Sequence, residues 1–408
     1  RSGRKPDRRA AKSSFAHTKG DFFIGFANAC AMRYNIAGIH RNETEFAMAA
    51  RKVHLEWMRI IAIVLVIFNH LPGYQLFLSA QGAEQRVCMF ISMLTRINVP
   101  LFLMISGAVL LGRSEDFATV FKKRVLRMAL VLALFILGLY ALHAAYYILY
   151  KGEAYDFSLK KYIYEGFLLH LDGTISYWFL IAYISYLCML PFLQRIAHGM
   201  GRQDFIVLTA LRALICTLVP MLNLLLPALG QPKLYLSEHL TFPLAVLDAF
   251  YYPLVGYWLE NAVDVRRLRR PQVLGIGAAG AAGLIAACLC TAWQGASKSA
   301  YTQDFVKLFD YAAALAAFIL IKRLVLVTLP ALGRGKAARF ACFLGPLTFG
   351  IYLLDPYWKV LLWGPYSRLV SAPLGVMGSS LLWCLISILL GGCAAWALRK
   401  VPGIRRLL

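Results

Sequence analysis

Apolar runs and short polar connections alternate along this chain from about residue 57 almost to its end. Ten runs stand out, roughly 57–77, 87–111, 125–149, 175–195, 205–227, 240–260, 272–293, 304–328, 341–363 and 374–398. Each is close to the ~20 residues a helix needs to cross a hydrocarbon layer about 30 Å thick. Inside that layer the backbone must satisfy its own hydrogen bonds, so runs of this length are expected to be helices. The pattern predicts an all-α, polytopic membrane protein of about ten transmembrane helices. Basic residues gather in every second connection. Arg51 and Lys52 precede the first run; Arg113, Lys122, Lys123 and Arg124 follow the second; Arg195 and Arg202 follow the fourth. Arg266, Arg267, Arg269 and Arg270 follow the sixth, five more lie around the eighth-to-ninth link, and Arg399, Lys400, Arg405 and Arg406 end the chain. Under the positive-inside rule this places both termini in the cytoplasm, and nine or eleven crossings would break the alternation. Residues 84–95 are expected along the outer interface. The second crossing would then begin near Asn98 and leave Arg96 as a snorkelling anchor at the outer surface.

Composition narrows the class further. The chain has 408 residues, of which 60% are hydrophobic and only 15% charged, more apolar surface than a soluble fold of this size can bury. A formal charge of +23 would point to nucleic acid in a soluble chain. Here the cations flank apolar runs, so the partners implied are membrane lipids, with no nucleic acid. Nine cysteines are scattered, mostly inside the runs, and no pair has metal-ligand spacing near histidines, so no metal is expected. Residues 1–54 carry no continuous apolar run and are expected to be a leader without function, with Met48 a possible true start. A single membrane domain is expected over 55–399, followed by a short cytoplasmic tail, 400–408.

Polar residues inside apolar runs are where chemistry is expected, because an intramembrane polar group is costly unless it is used or paired. The stretch Leu55–His70, LEWMRIIAIVLVIFNH, carries an acid and an arginine near its start and a histidine at its end. Arg59 and His70 are eleven residues apart, so at 100° per residue they return to within about 20° of one face, roughly 16 Å apart along the axis. Glu56, three residues before Arg59, is placed to pair with its guanidinium and hold it. A neutral imidazole at His70 can take a hydroxyl proton near physiological pH; the plainer role is a hydrogen-bonded packing residue. Arg59, Arg124 and Arg127 all fall near the predicted cytoplasmic face, where guanidinium forks suit phosphates and also serve as topology signals. Ser106-Gly107 suits close helix packing or a substrate contact, and Trp178 suits an aromatic belt or sugar stacking. The outer connection 150–174 is the longest and is a candidate cover for an acceptor site. Arg212, Asp248 and Asp310 are further intramembrane charges without readable partners.

Several stretches together resemble the integral-membrane acyltransferase family three. They are Glu56, two residues, Arg59, ten residues and His70 in the first helix; Val99-Pro-Leu-Phe-Leu-Met-Ile-Ser-Gly107; Arg124-Val-Leu-Arg127; and Tyr177-Trp-Phe-Leu180. Phe349-Gly-Ile-Tyr-Leu-Leu-Asp355 fits except at its end, where many members carry His. The resemblance implies transfer of an acyl group, most simply acetyl from acetyl-CoA, to an extracytoplasmic glycan or similar hydroxyl acceptor at the cytoplasmic membrane. His70 would be the catalytic base, and Glu56 joins the catalytic set by holding Arg59. Asp355 stands where the chain departs from the commoner pattern, and its candidate catalytic role comes from chemistry, as a carboxylate that orients His70 the way one orients imidazole in other acyl-transfer sites. Arg59, Arg124 and Arg127 would hold coenzyme A phosphates, and Trp178 and Ser106 would contact the acceptor. The rival readings are a solute transporter, which predicts inverted repeats that are not found, and a non-catalytic membrane scaffold.

Overall fold

A computed structural model describes residues 52–71, 82–237, 240, 242–294, 306–405 and 407. The expected leader and the candidate start at Met48 lie outside them, as does most of the first outer loop. The described residues are helical and form no strands. Nine helical stretches among them are long and apolar enough to cross a membrane, so the chain is an all-α, multi-pass membrane protein.

The first helix, α1 (Val53–His70), is the wall shared by two packed clusters. Leu55, Met58 and Ala62 belong to one, with α3 (Asn98–Leu110), α5 (Trp178–Gly199), α8 (Asp248–Asn261) and α10 (Val306–Arg323). Ile63, Val66, Ile67 and Phe68 belong to the other, with α4 (Leu126–Ala145) and α12 (Thr348–Leu398). Residues of α1 on both sides are therefore buried by protein, which fixes its rotation and the direction in which its polar stripe points.

The sixth apolar run departs from expectation. It is a single turn, Pro243–Val246, then α8, broken at Leu247, whose backbone is extended (φ −79°, ψ 117°). Neither piece reaches the length of a membrane span. Tyr251, Tyr252 and Val255 are fully buried, so the run is apolar because protein surrounds it and not because lipid does. Two glycines allow this. A Cβ at Gly107 would collide with the Pro253 backbone, and one at Gly256 with the Met104 backbone, so α3 and α8 touch main chain to main chain.

Arg212, in α6 (Arg202–Ala213), closes the break. Its Nη1 donates to the carbonyls of Ala245 and Val246 (3.0 and 3.2 Å), and its Nη2 to Asp248 Oδ1 (2.6 Å) and the Tyr252 hydroxyl (3.2 Å), which also bonds Asp310 Oδ1 (3.2 Å). Arg212 thus pairs with Asp248, reaches Asp310 through the Tyr252 hydroxyl, and satisfies carbonyls that a broken helix leaves open.

The second run also differs. The chain is helical from Gly82 through Leu110, tightened to a 3-10 turn at Thr95–Ile97. Arg96 is not an outer anchor: its Nε and Nη2 are buried, and Asp310 acts on its charge. The last two runs form one element, α12, folded at Gly375 (φ 67°, ψ −178°), a left-handed conformation that glycine adopts without a Cβ clash. Contacts of Gly350 with Ala395 and of Tyr366 with Ser379 show two antiparallel arms.

Candidate active site

A cavity of about 310 Å³ runs along α1, lined among others by Arg59, Val66, Asn69 and His70. The helical period thus brings Arg59 and His70 to one space, as their spacing requires. Asn98, Ser106 and Phe102 of α3, Arg127 of α4, Trp178, Phe179 and Tyr183 of α5, and Phe349 and Tyr352 of α12 complete much of the wall. Aromatic rings dominate the middle, and the two guanidinium groups sit near the helix ends that carry the basic clusters. Trp178 is half exposed and stands at an opening.

Glu56 Oε1 accepts a 2.6 Å bond from Arg59 Nη1. The carboxylate is wedged against Gly345, where any Cβ would collide with its other oxygen, Oε2, which has no hydrogen-bond partner. Glu56 is thus placed to position Arg59, and it does not line the cavity. At the far end of α1, His70 Nδ1 lies 2.8 Å from Asp355 Oδ2, across 285 residues of sequence. Asp355 is 2% exposed, and its Oδ1 accepts from the Ser387 hydroxyl at 2.6 Å. A carboxylate that accepts at Nδ1 holds the imidazole in the tautomer whose Nε2 lone pair is free. Lys359, one helical turn after Asp355, donates its ammonium to the main-chain carbonyl of His70 (2.7 Å) and caps the C-terminal end of α1. Tyr177 and Tyr352 tie the start of α5 to α12 through the carbonyls of Leu353 and Ser176, both at about the usual length (2.8 and 2.7 Å).

The two arginines of the third run part company. Arg127 lines the cavity, and its Nε and Nη2 donate to the carbonyl of Leu407 (3.2 and 3.0 Å), leaving three N–H groups for another acceptor. Arg124, in the π turn Phe121–Val125, does not line it; its Nε and Nη2 form a fork on Glu115 Oε2 and Oε1 (2.8 and 2.7 Å). That guanidinium holds the Glu115 carboxyl below its ordinary value. The lock is therefore complete above the usual carboxylate range and is lost only as pH falls through the depressed value. Of the motif Ser106-Gly107, Ser106 lines the cavity and Gly107 packs on α8.

Sequence reading missed Asn69, Asn98, Lys359 and Ser387. Asn69 and Asn98 are polar residues at the edges of motif stretches, and Lys359 is four residues from Asp355 on the same helix face, so these three carried a signal. Ser387 carried none, since its place depends on the fold of α12. No group of three or more His, Cys, Asp or Glu side chains among the described residues could hold a metal ion.

In comparison with known proteins, a family described as an acyltransferase domain matches residues 53–397. No curated protein and no solved structure matches the chain.

Proposed function

The chain belongs to the integral-membrane acyltransferase family three, and from that premise we propose that it moves an acyl group, most simply acetyl, from acyl coenzyme A to a hydroxyl of an extracytoplasmic glycan or similar acceptor at the cytoplasmic membrane. The observation that carries this reading is that one cavity holds both two guanidinium groups near the basic helix ends and a carboxylate-bound imidazole deeper in.

The residues present fit such a donor. Arg59 and Arg127 would hold its phosphates, and the aromatic middle of the cavity suits its thin, uncharged arm. When bound, the donor supplies a thioester carbonyl, an acyl group activated for attack by an oxygen nucleophile. His70 Nε2, freed by the Nδ1 bond to Asp355, takes the proton of the acceptor hydroxyl as its oxygen bonds the acyl carbon, and gives the proton to the departing thiolate sulfur. Asp355 balances the charge that imidazole gains during this step. Trp178 and Ser106 line the path by which a hydroxyl acceptor would approach, the first at the opening and the second on the wall.

Incubation of membranes containing the protein with acetyl-labelled coenzyme A tests the reading. Base-labile label in a glycan or other hydroxyl acceptor, absent from membranes without the protein, is expected. Uptake of a solute without any acyl transfer would overturn it in favour of a transporter.

A further inference from the structure

Asp355 stands in the apolar interior with two donors, and only one of them is the proposed base. The other is the hydroxyl of Ser387, itself completely buried, on the opposite arm of α12. We infer that Ser387 is a positioning residue for acyl transfer, acting on His70 through the Asp355 carboxylate. The inference rests on the proposed role of His70 and adds to it a residue to which no motif points.

The argument starts from the carboxylate. A side chain with two free oxygens can rotate about its last torsion and offer either oxygen in several directions. Donation by Ser387 to Oδ1 at 2.6 Å removes that freedom and leaves Oδ2 aimed at His70 Nδ1 at 2.8 Å. The antiparallel pairing of the two arms sets this geometry, because Gly391 packs on Ile351 one turn from each group. Other groups surround Asp355 without replacing this bond. Tyr177 sends its hydroxyl to the carbonyl of Leu353, Tyr352 sends its hydroxyl to that of Ser176, and Lys359 sends its ammonium to that of His70. Ser387 is the hydroxyl that bonds the carboxylate directly. Without it, the Oδ1 acceptor would be buried and unmet, and the carboxylate would turn to share its remaining donor.

A double-mutant cycle tests this. Ser387→Ala should lower kcat about tenfold, the fold-change that corresponds to one hydrogen bond to an ionised group, with the KM for acyl coenzyme A unchanged. Ser387→Thr, which keeps the hydroxyl, should stay within about threefold of the starting kcat, whereas Ser387→Cys, similar in volume but a weak donor, should fall like Ala. In an Asp355→Ala background, Ser387→Ala should cost less than about twofold, because its route to His70 is gone. The inference fails if Ser387→Cys or Ser387→Ala inserts normally and keeps full kcat, or if the cost of Ser387→Ala is the same in both backgrounds, as for a residue that only packs. Loss of activity in His70→Ala alongside either result would leave the proposed function standing and remove only Ser387 from it.

Discussion

Replacing Asp355 by Asn exchanges one oxygen for an NH2 group and changes the shape of the site very little. The Ser387 hydroxyl can still donate to Oδ1, so the second arm of α12 keeps its contact. At the other position the chemistry inverts. An amide nitrogen 2.8 Å from His70 Nδ1 donates where the carboxylate accepted, so Nδ1 must present its lone pair and Nε2 must carry the proton. The nitrogen meant to take the acceptor's proton is then already protonated. General-base catalysis of this kind contributes about 10²–10⁴-fold, so kcat should drop by that factor, roughly 2.7–5.5 kcal/mol of barrier. Arg59 and Arg127 do not touch Asp355, so the KM for acyl coenzyme A should stay within about twofold. The assay is initial-rate acyl transfer by purified protein over a range of donor concentrations, with yield and thermal stability measured in parallel. A variant that folds normally and keeps kcat within threefold of the starting protein would show that Asp355 does not set the tautomer of His70.

Two further predictions follow from the placement of the arginines and the basic clusters. Arg59→Ala and Arg127→Ala should each raise the KM for acyl coenzyme A about tenfold to a hundredfold, the loss of one charge-assisted contact, whereas Arg124→Ala should leave it nearly unchanged because its fork already holds Glu115. Titration of donor dependence in the three variants checks this, and equal effects for Arg124 and Arg127 would refute the distinction. Single cysteines at Asp156 and Leu236 should react with an impermeant reagent from outside, and those at Glu115, Asp264 and Gly335 only from the cytoplasm; one inverted position would refute the orientation.

The number of apolar runs could be read from sequence because the solvent for most of them is lipid, which demands long, uninterrupted apolar helices. Hydropathy alone does not distinguish a run buried by lipid from one buried by protein. The run around Tyr251 and Tyr252 therefore looked like one continuous lipid-facing helix, although it is broken at Leu247 and enclosed by α3, α5 and α10. Arg96 was misplaced for a related reason: a cation near a helix end usually snorkels, and only the fold brings Asp310 to it. Within the site, the Arg59-to-His70 stripe was readable because helical periodicity is a local property. Arg124 and Arg127 looked equivalent until the π turn and Glu115 separated them. The Asp355 contact with His70, 285 positions apart, was reached by analogy with other acyl-transfer sites and not by spacing; the Ser387 contact with Asp355, 32 positions apart, had neither guide.

The central claim is that chemistry takes place at His70. Its most direct test is transfer of labelled acetyl from acetyl coenzyme A by the His70→Ala variant, compared with the unaltered protein at equal insertion and equal donor binding. Turnover should fall by about a hundredfold to ten-thousandfold while donor affinity stays within about twofold. Near-normal turnover in that variant would contradict the account and make α1 a scaffold for chemistry carried out elsewhere.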